Sequence, residues 1–199
     1  MTIALALAAL LVQGAPVPAP QAEFMARIQA LCGKAFAGRL VSRDAADSAM
    51  AGVAMVMHVA RCAPNEIRIP FHVARADGSW DRSRTWVLTR AASGLRLKHD
   101  HRHADGSPDT LTRYGGETSG PGRATRQEFE VDADSIALFT REGRFASVTN
   151  VWSIEIDGAD ETAPRFAYQL RRAAPEQRLF RVEFDLAKPV APPPPPWGG

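Results

Sequence analysis

The chain has 199 residues, a formal net charge of +2 and 45% hydrophobic residues. Its 24 basic residues are interleaved with 22 acidic ones, which argues against the one-sided positive surface that nucleic-acid or membrane-surface binding requires. The length fits one domain, which we place at residues 23–188, between a leader with a Pro/Ala spacer at 1–22 and a proline-rich tail at 189–199.

The first residues predict export. Residues 2–12 form an apolar run with the length of a signal-peptide core, too short to span a bilayer. We therefore expect a periplasmic or secreted protein with no membrane span. Two cysteines follow the leader, and in an oxidising compartment Cys32 and Cys62 are expected to form a disulfide.

Two segments of the domain are expected to be helical. Phe24, Ile28 and Leu31 recur at i, i+4 and i+7, which predicts a short amphipathic helix over residues 23–31, ended by Gly33. A second short helix is predicted near residues 132–141, where Asp132 or Asp134 can cap its start.

The rest of the domain alternates apolar and polar residues with the period of a β-strand. The predicted strands cover residues 35–42, 51–60, 67–73, 86–88, 95–103, 110–114, 127–131, 148–157, 165–171 and 179–186, with a mobile glycine-rich loop at 115–122 and a polyproline II tail from residue 189. This order predicts a mainly β fold, an antiparallel up-and-down meander closed into a barrel, because closure removes the unpaired edges. A two-sheet β-sandwich is the alternative.

The predicted strand at residues 95–103 carries three of the five histidines, at a spacing of two. In an extended strand His99, His101 and His103 continue the apolar face of Leu95 and Leu97. Residues two apart lie about 6.7 Å apart along a strand, so two neighbouring imidazoles can tilt toward one divalent ion.

The sequence therefore suggests His99 and His101 as a metal pair, with a third ligand to come from elsewhere. The candidates for that third ligand are His58, His72, Asp105 and Asp109. Three alternatives stay open for the imidazoles: hydrogen bonds at the end of the strand, contact with an organic ligand, and acid–base work.

The opening residues 31–38, Leu-Cys-Gly-Lys-Ala-Phe-Ala-Gly, resemble the first strand of calycin-type barrels, which include lipocalins, fatty-acid-binding proteins and nitrobindin-like proteins. The resemblance implies a small, mostly apolar molecule held inside the barrel. Nitrobindin-like proteins hold haem through a histidine late in the chain; this sequence has none after His103, so haem is not expected.

Three functions remain open at this stage. The first is a small-ligand-binding barrel whose site is lined by the histidine row and four aromatic residues: His99, His101, His103, Trp86, Tyr114, Trp152 and Tyr168. The second is a metal-dependent or histidine general-base enzyme that uses the same strand. The third is a structural or interaction domain of the cell envelope. Composition alone does not separate them.

Overall fold

The computed structural model describes residues 18–158 and 160–199, so the predicted leader run at 2–12 lies outside the described residues. The strands are β1 (Ala35–Leu40), β2 (Met55–His58), β3 (Arg61–Ala63), β4 (Glu66–Ala74), β5 (Trp80–Ala91), β6 (Gly94–His101), β7 (Tyr114–Glu117), β8 (Arg126–Val131), β9 (Val151–Ile156), β10 (Arg165–Arg172) and β11 (Arg178–Val190). The α-helices are α1 (Ala19–Gln29) and α2 (Ala133–Arg141), and Ala45–Met50 and Phe145–Thr149 form 3-10 turns. Neither α-helix is long and apolar enough to cross a membrane.

The strands form a closed antiparallel barrel. From β4 to β11 each strand pairs with its neighbour in sequence, β11 pairs with β1, and β1 pairs with β2. The pairing of β2 with β4 then closes the ring, and β3 extends it along β4. The predicted mainly β, up-and-down barrel is confirmed over the sandwich alternative. This architecture is compatible with the calycin-type resemblance.

Alternation along each strand decides which side chains enter the barrel. In β4, Ile67, Ile69 and Phe71 are at most 2% exposed, while Arg68 between them is half-buried on the outer face. The buried face of α1, with Phe24 and Ile28, completes the same core. The helix starts at Ala19 rather than at residue 23, because proline is well tolerated in the first turn, where its missing N–H has no partner to lose.

The glycine-rich segment is partly a strand, which corrects the prediction of a loop over 115–122. Tyr114–Glu117 forms β7, and Gly115 and Gly116 lie buried between the neighbouring strands. A Cβ on Gly115 would overlap the carbonyl oxygen of Leu97, and one on Gly116 would overlap that of Glu130. These glycines therefore permit close backbone pairing in the barrel wall.

The predicted disulfide is confirmed. Cys32 and Cys62 are bonded across a sequence separation of 30 residues. The bond ties the segment that follows α1 to the short strand β3, and it leaves no free cysteine in the described part of the chain.

Candidate functional site

His99 lies inside the barrel with both ring nitrogens hydrogen-bonded. Nδ1 is 3.1 Å from the carbonyl oxygen of Tyr114, and Nε2 is 2.7 Å from the hydroxyl of Tyr168. Because a carbonyl oxygen only accepts, Nδ1 carries the hydrogen and donates it, so the Tyr168 hydroxyl donates to Nε2. The imidazole is thus held in one neutral tautomer by groups from β7 and β10.

His101 lies next on the same face of β6 and is less deeply buried. Its Nε2 is 3.1 Å from the Tyr114 hydroxyl, and its backbone N–H donates to Oγ1 of Thr112 at 2.8 Å. Arg84 stands opposite it across the β5–β6 ladder and is ion-paired with Asp81 at 2.6 Å. This end of the barrel therefore combines two imidazoles, a phenol and an ion pair.

The buried groups of this cluster are uncharged at neutral pH. Burial lowers the pKa of His99 to about 3, and the positive charge that His101 carries once it is protonated lowers this pKa further. Burial lowers the pKa of His101 to about 4, and Arg84 adds to that shift. Burial also raises the pKa of Tyr114 to about 12 and that of Tyr168 well above its ordinary value. A base with a pKa so far below 7 is poorly matched to proton abstraction at neutral pH.

The predicted metal pair has no third ligand in the described part of the chain. The ring centroids of His99 and His101 are 6.5 Å apart. Within residues 18–158 and 160–199, no three His, Cys, Asp or Glu side chains are placed to hold an ion together. β6 ends at His101, so the histidine strand does not continue to residue 103 as predicted, and His103 is exposed in the turn that follows.

Six of the seven predicted ligand residues meet in the interior, and His103 is the exception. Trp86 stacks on Tyr168 with ring centroids 4.4 Å apart, and Trp152 lies 5.3 Å from the His99 ring. These rings contact one another, as side chains of a packed core do. Their role in ligand binding stays a prediction.

The proline-rich tail is docked on the outer wall of the barrel. Nε2 of His72 donates to the carbonyl oxygen of Pro194 at 3.1 Å, and Arg82 donates to that of Pro195 at 2.8 Å. The backbone N–H of Trp197 donates in turn to the carbonyl oxygen of Arg82 at 3.1 Å. These three hydrogen bonds fix the path of the tail along β4 and β5.

A cleft of about 720 Å³ lies between this tail and the wall, and we name it the tail cleft. Trp197 forms part of it and is itself held in place by the guanidinium of Arg75, 5.1 Å from the ring centroid. The wall contributes His58, Ala60, Arg61, Arg68, Pro70, Thr85 and Asp100, and the tail contributes Pro192, Pro193, Pro195, Pro196, Trp197, Gly198 and Gly199. The cleft thus has an apolar proline and tryptophan side opposite a polar wall.

Two arginines face each other on the wall of the tail cleft. Arg61 and Arg68 are direct cross-strand partners on β3 and β4. Like charges in this position repel unless they are compensated. Arg68 is compensated by Glu66 at 2.9 Å and by Asp100 at 3.6 Å, whereas Arg61 has no ion pair among the described residues.

Sequence reasoning missed the tail cleft. The sequence predicts a polyproline II tail without singling out Trp197, and it suggests His58 and His72 only as third ligands for a metal ion at His99 and His101. The available signals were a tryptophan directly after five prolines and a histidine on the polar face of β4. Both His58 and His72 lie on the outer side of the wall, near the tail.

Comparisons of this chain with protein-family models, with curated proteins and with solved structures found no match.

Proposed function

We propose that this protein binds a small organic molecule in the tail cleft. The barrel interior is filled by contacting aromatic side chains, which favours a site outside it. The cleft has the volume of small-molecule sites, about 300–1,000 Å³, and their usual composition of apolar walls with a few polar groups. The enclosure of the tail cleft by the proline-rich tail is the main observation that supports the proposal.

The lining indicates the chemistry of the ligand. Proline rings and the Trp197 indole offer flat apolar surfaces that suit an aromatic or alicyclic body. On the opposite side, Arg61 offers a guanidinium without a carboxylate partner in the described chain, and its fork geometry suits a carboxylate or sulfonate. We infer an amphipathic ligand with one apolar body and one anionic group.

We also propose that the protein works outside the cytoplasm. The Cys32–Cys62 disulfide supports this placement, because such bonds persist mainly in oxidising compartments. The proposed binding domain is wider than residues 23–188, because α1 begins at Ala19 and β11 ends at Val190. In this proposal the tail that follows Val190 covers the ligand site.

Naphthoate, which joins two fused rings to a carboxylate, is a suitable probe. Replacing Trp197→Ala removes the indole from the apolar side of the cleft together with its contact with Arg75, and we expect the dissociation constant for naphthoate to rise about tenfold or more. Isothermal titration calorimetry measures the change. Arg61→Gln should weaken naphthoate binding but leave the binding of an uncharged naphthalene derivative nearly unchanged.

Phe145→Ala is the matched control, because Phe145 is an exposed aromatic residue that does not line the tail cleft. This variant should bind naphthoate as the parent protein does. Equal affinities for the parent and the Trp197→Ala variant, or a parent protein that binds no naphthoate, would contradict the proposal.

A further inference from the structure

A second cleft, of about 570 Å³, lies between α2 and the outer face of β5 and β6, and we name it the α2 cleft. Its acidic lining residues are Asp100 and Asp134. Its basic lining residues are three times as numerous: Arg68, Arg96, Lys98, Arg102, Arg113 and Arg141. It shares only Arg68 and Asp100 with the tail cleft.

Most of these cations are held in place by carboxylates. The ion pairs are Arg68 with Glu66 and Asp100, Arg96 with Glu117, Lys98 with Asp132, Arg102 with Asp100, and Arg141 with Glu142. A guanidinium has five N–H donors, so one carboxylate does not saturate it. Arg113 alone among the six has no ion pair within the described ranges.

The backbone of Arg113 is in a conformation that arginine rarely adopts. Its φ is +57°, in the left-handed region that favours glycine, and it is the one residue other than glycine with positive φ in the described chain. Its N–H donates to the carbonyl oxygen of His99 at 2.6 Å, so the sheet fixes this geometry. Glycine would fit the position without strain, and the arginine therefore places a guanidinium beside the cleft at a conformational cost.

We propose that the α2 cleft binds the phosphate group of a small molecule, with Arg113 as its principal contact. A phosphate oxygen pair matches the guanidinium fork, and the neighbouring cations, already fixed by their carboxylates, supply further donors. The proposal does not rest on the ligand proposed for the tail cleft, because Arg113 lines the α2 cleft and not the tail cleft.

Pyrophosphate titrated calorimetrically at low ionic strength tests this assignment. We expect Arg113→Gly to weaken pyrophosphate binding about tenfold or more, through the loss of a charge-assisted contact. The same variant should melt at the same temperature as the parent or higher, because glycine removes the backbone strain. Sulfate in place of pyrophosphate distinguishes a phosphate site from a general site for tetrahedral anions.

Arg123→Gln is the control, because it removes one exposed positive charge that does not line the α2 cleft. It should bind pyrophosphate like the parent protein, and Arg113→Gly should still bind naphthoate in the tail cleft. The assignment is overturned if the parent protein binds no pyrophosphate, if Arg113→Gly binds it unchanged, or if Arg123→Gln loses as much affinity as Arg113→Gly.

Discussion

Lowering the pH from 7 to 5 is expected to reduce the free energy of unfolding by about 4 kcal/mol through the two interior histidines alone. The pKa of His99 is lowered to about 3 and that of His101 to about 4, in both cases chiefly by burial. Both values lie below the unfolded-state pKa of about 6.5, so the unfolded chain takes up protons first as the pH falls. The stability present above pH 6.5 is therefore lost progressively, by about 2 kcal/mol per histidine at pH 5.

A third histidine, His72 on the outer wall, also lowers the free energy of unfolding as the pH falls. Burial lowers the pKa of His72 to about 4, although its hydrogen bond to the Pro194 carbonyl opposes the shift. The other imidazole nitrogen, Nδ1, is buried without a hydrogen-bond partner. Protonation of His72 would place a charge beneath the docked tail, so acid should loosen the tail cleft as well as the barrel.

Urea unfolding followed by tryptophan fluorescence measures this loss across the pH range. His99→Gln should be less stable than the parent at pH 7, yet its stability should fall only about two-thirds as steeply toward pH 5, because His101 and His72, the other two of these three histidines, still titrate. His103→Gln removes an exposed imidazole from the turn after the same strand and serves as the control. A parent stability that stays constant between pH 7 and 5 would show that His99 and His101 are not held neutral by burial.

Removing the disulfide is the second change with a large expected effect. Replacing Cys32→Ser together with Cys62→Ser should lower the free energy of unfolding by about 3–4 kcal/mol, the chain-entropy value for a loop of this length. For a domain of this size the melting temperature should fall by about 10 °C. The physical cause is a larger unfolded ensemble, and the helix α1 also loses its covalent link to β3.

Calorimetric melting with and without a thiol reductant checks the disulfide prediction. Cys32 is exposed, so the reductant should reach the bond in the folded protein and lower the parent's melting temperature toward that of the double variant. The double variant serves as the control, because it has no disulfide and a reductant should leave its melting temperature unchanged. A parent protein that melts at the same temperature in both conditions while its thiols titrate as reduced would contradict the prediction.

The sequence was sufficient to predict which side chains of a strand face the interior of the barrel. Period-two alternation assigns Leu95, Leu97 and His99 to one side of a strand whatever its partners, and burial places all three in the interior. The convergence of His99 with Tyr168, 69 positions away, depends on the order of strands around the ring. Alternation gives the face of a residue but not its neighbours across the barrel.

The features on the outside of the barrel had no comparable pattern in the sequence from which they could be predicted. The tail lacks periodicity, and its path depends on hydrogen bonds from His72 and Arg82, two wall residues more than 100 positions away. The role of Gly115 and Gly116 depends on how closely the neighbouring backbones approach, which glycine content alone does not reveal. The tail cleft and the α2 cleft are both products of such tertiary packing.

The pairing of β1 with β11 bears on how the chain acquires its structure. Ala35 pairs with Val190, and Phe36 pairs with Pro189, so the first strand finds one of its two partners only in the last. Contacts between such distant residues are formed slowly, because a long loop must close before they contribute. We expect translation to be nearly complete before the barrel can close, so the nascent chain would remain open for most of its synthesis.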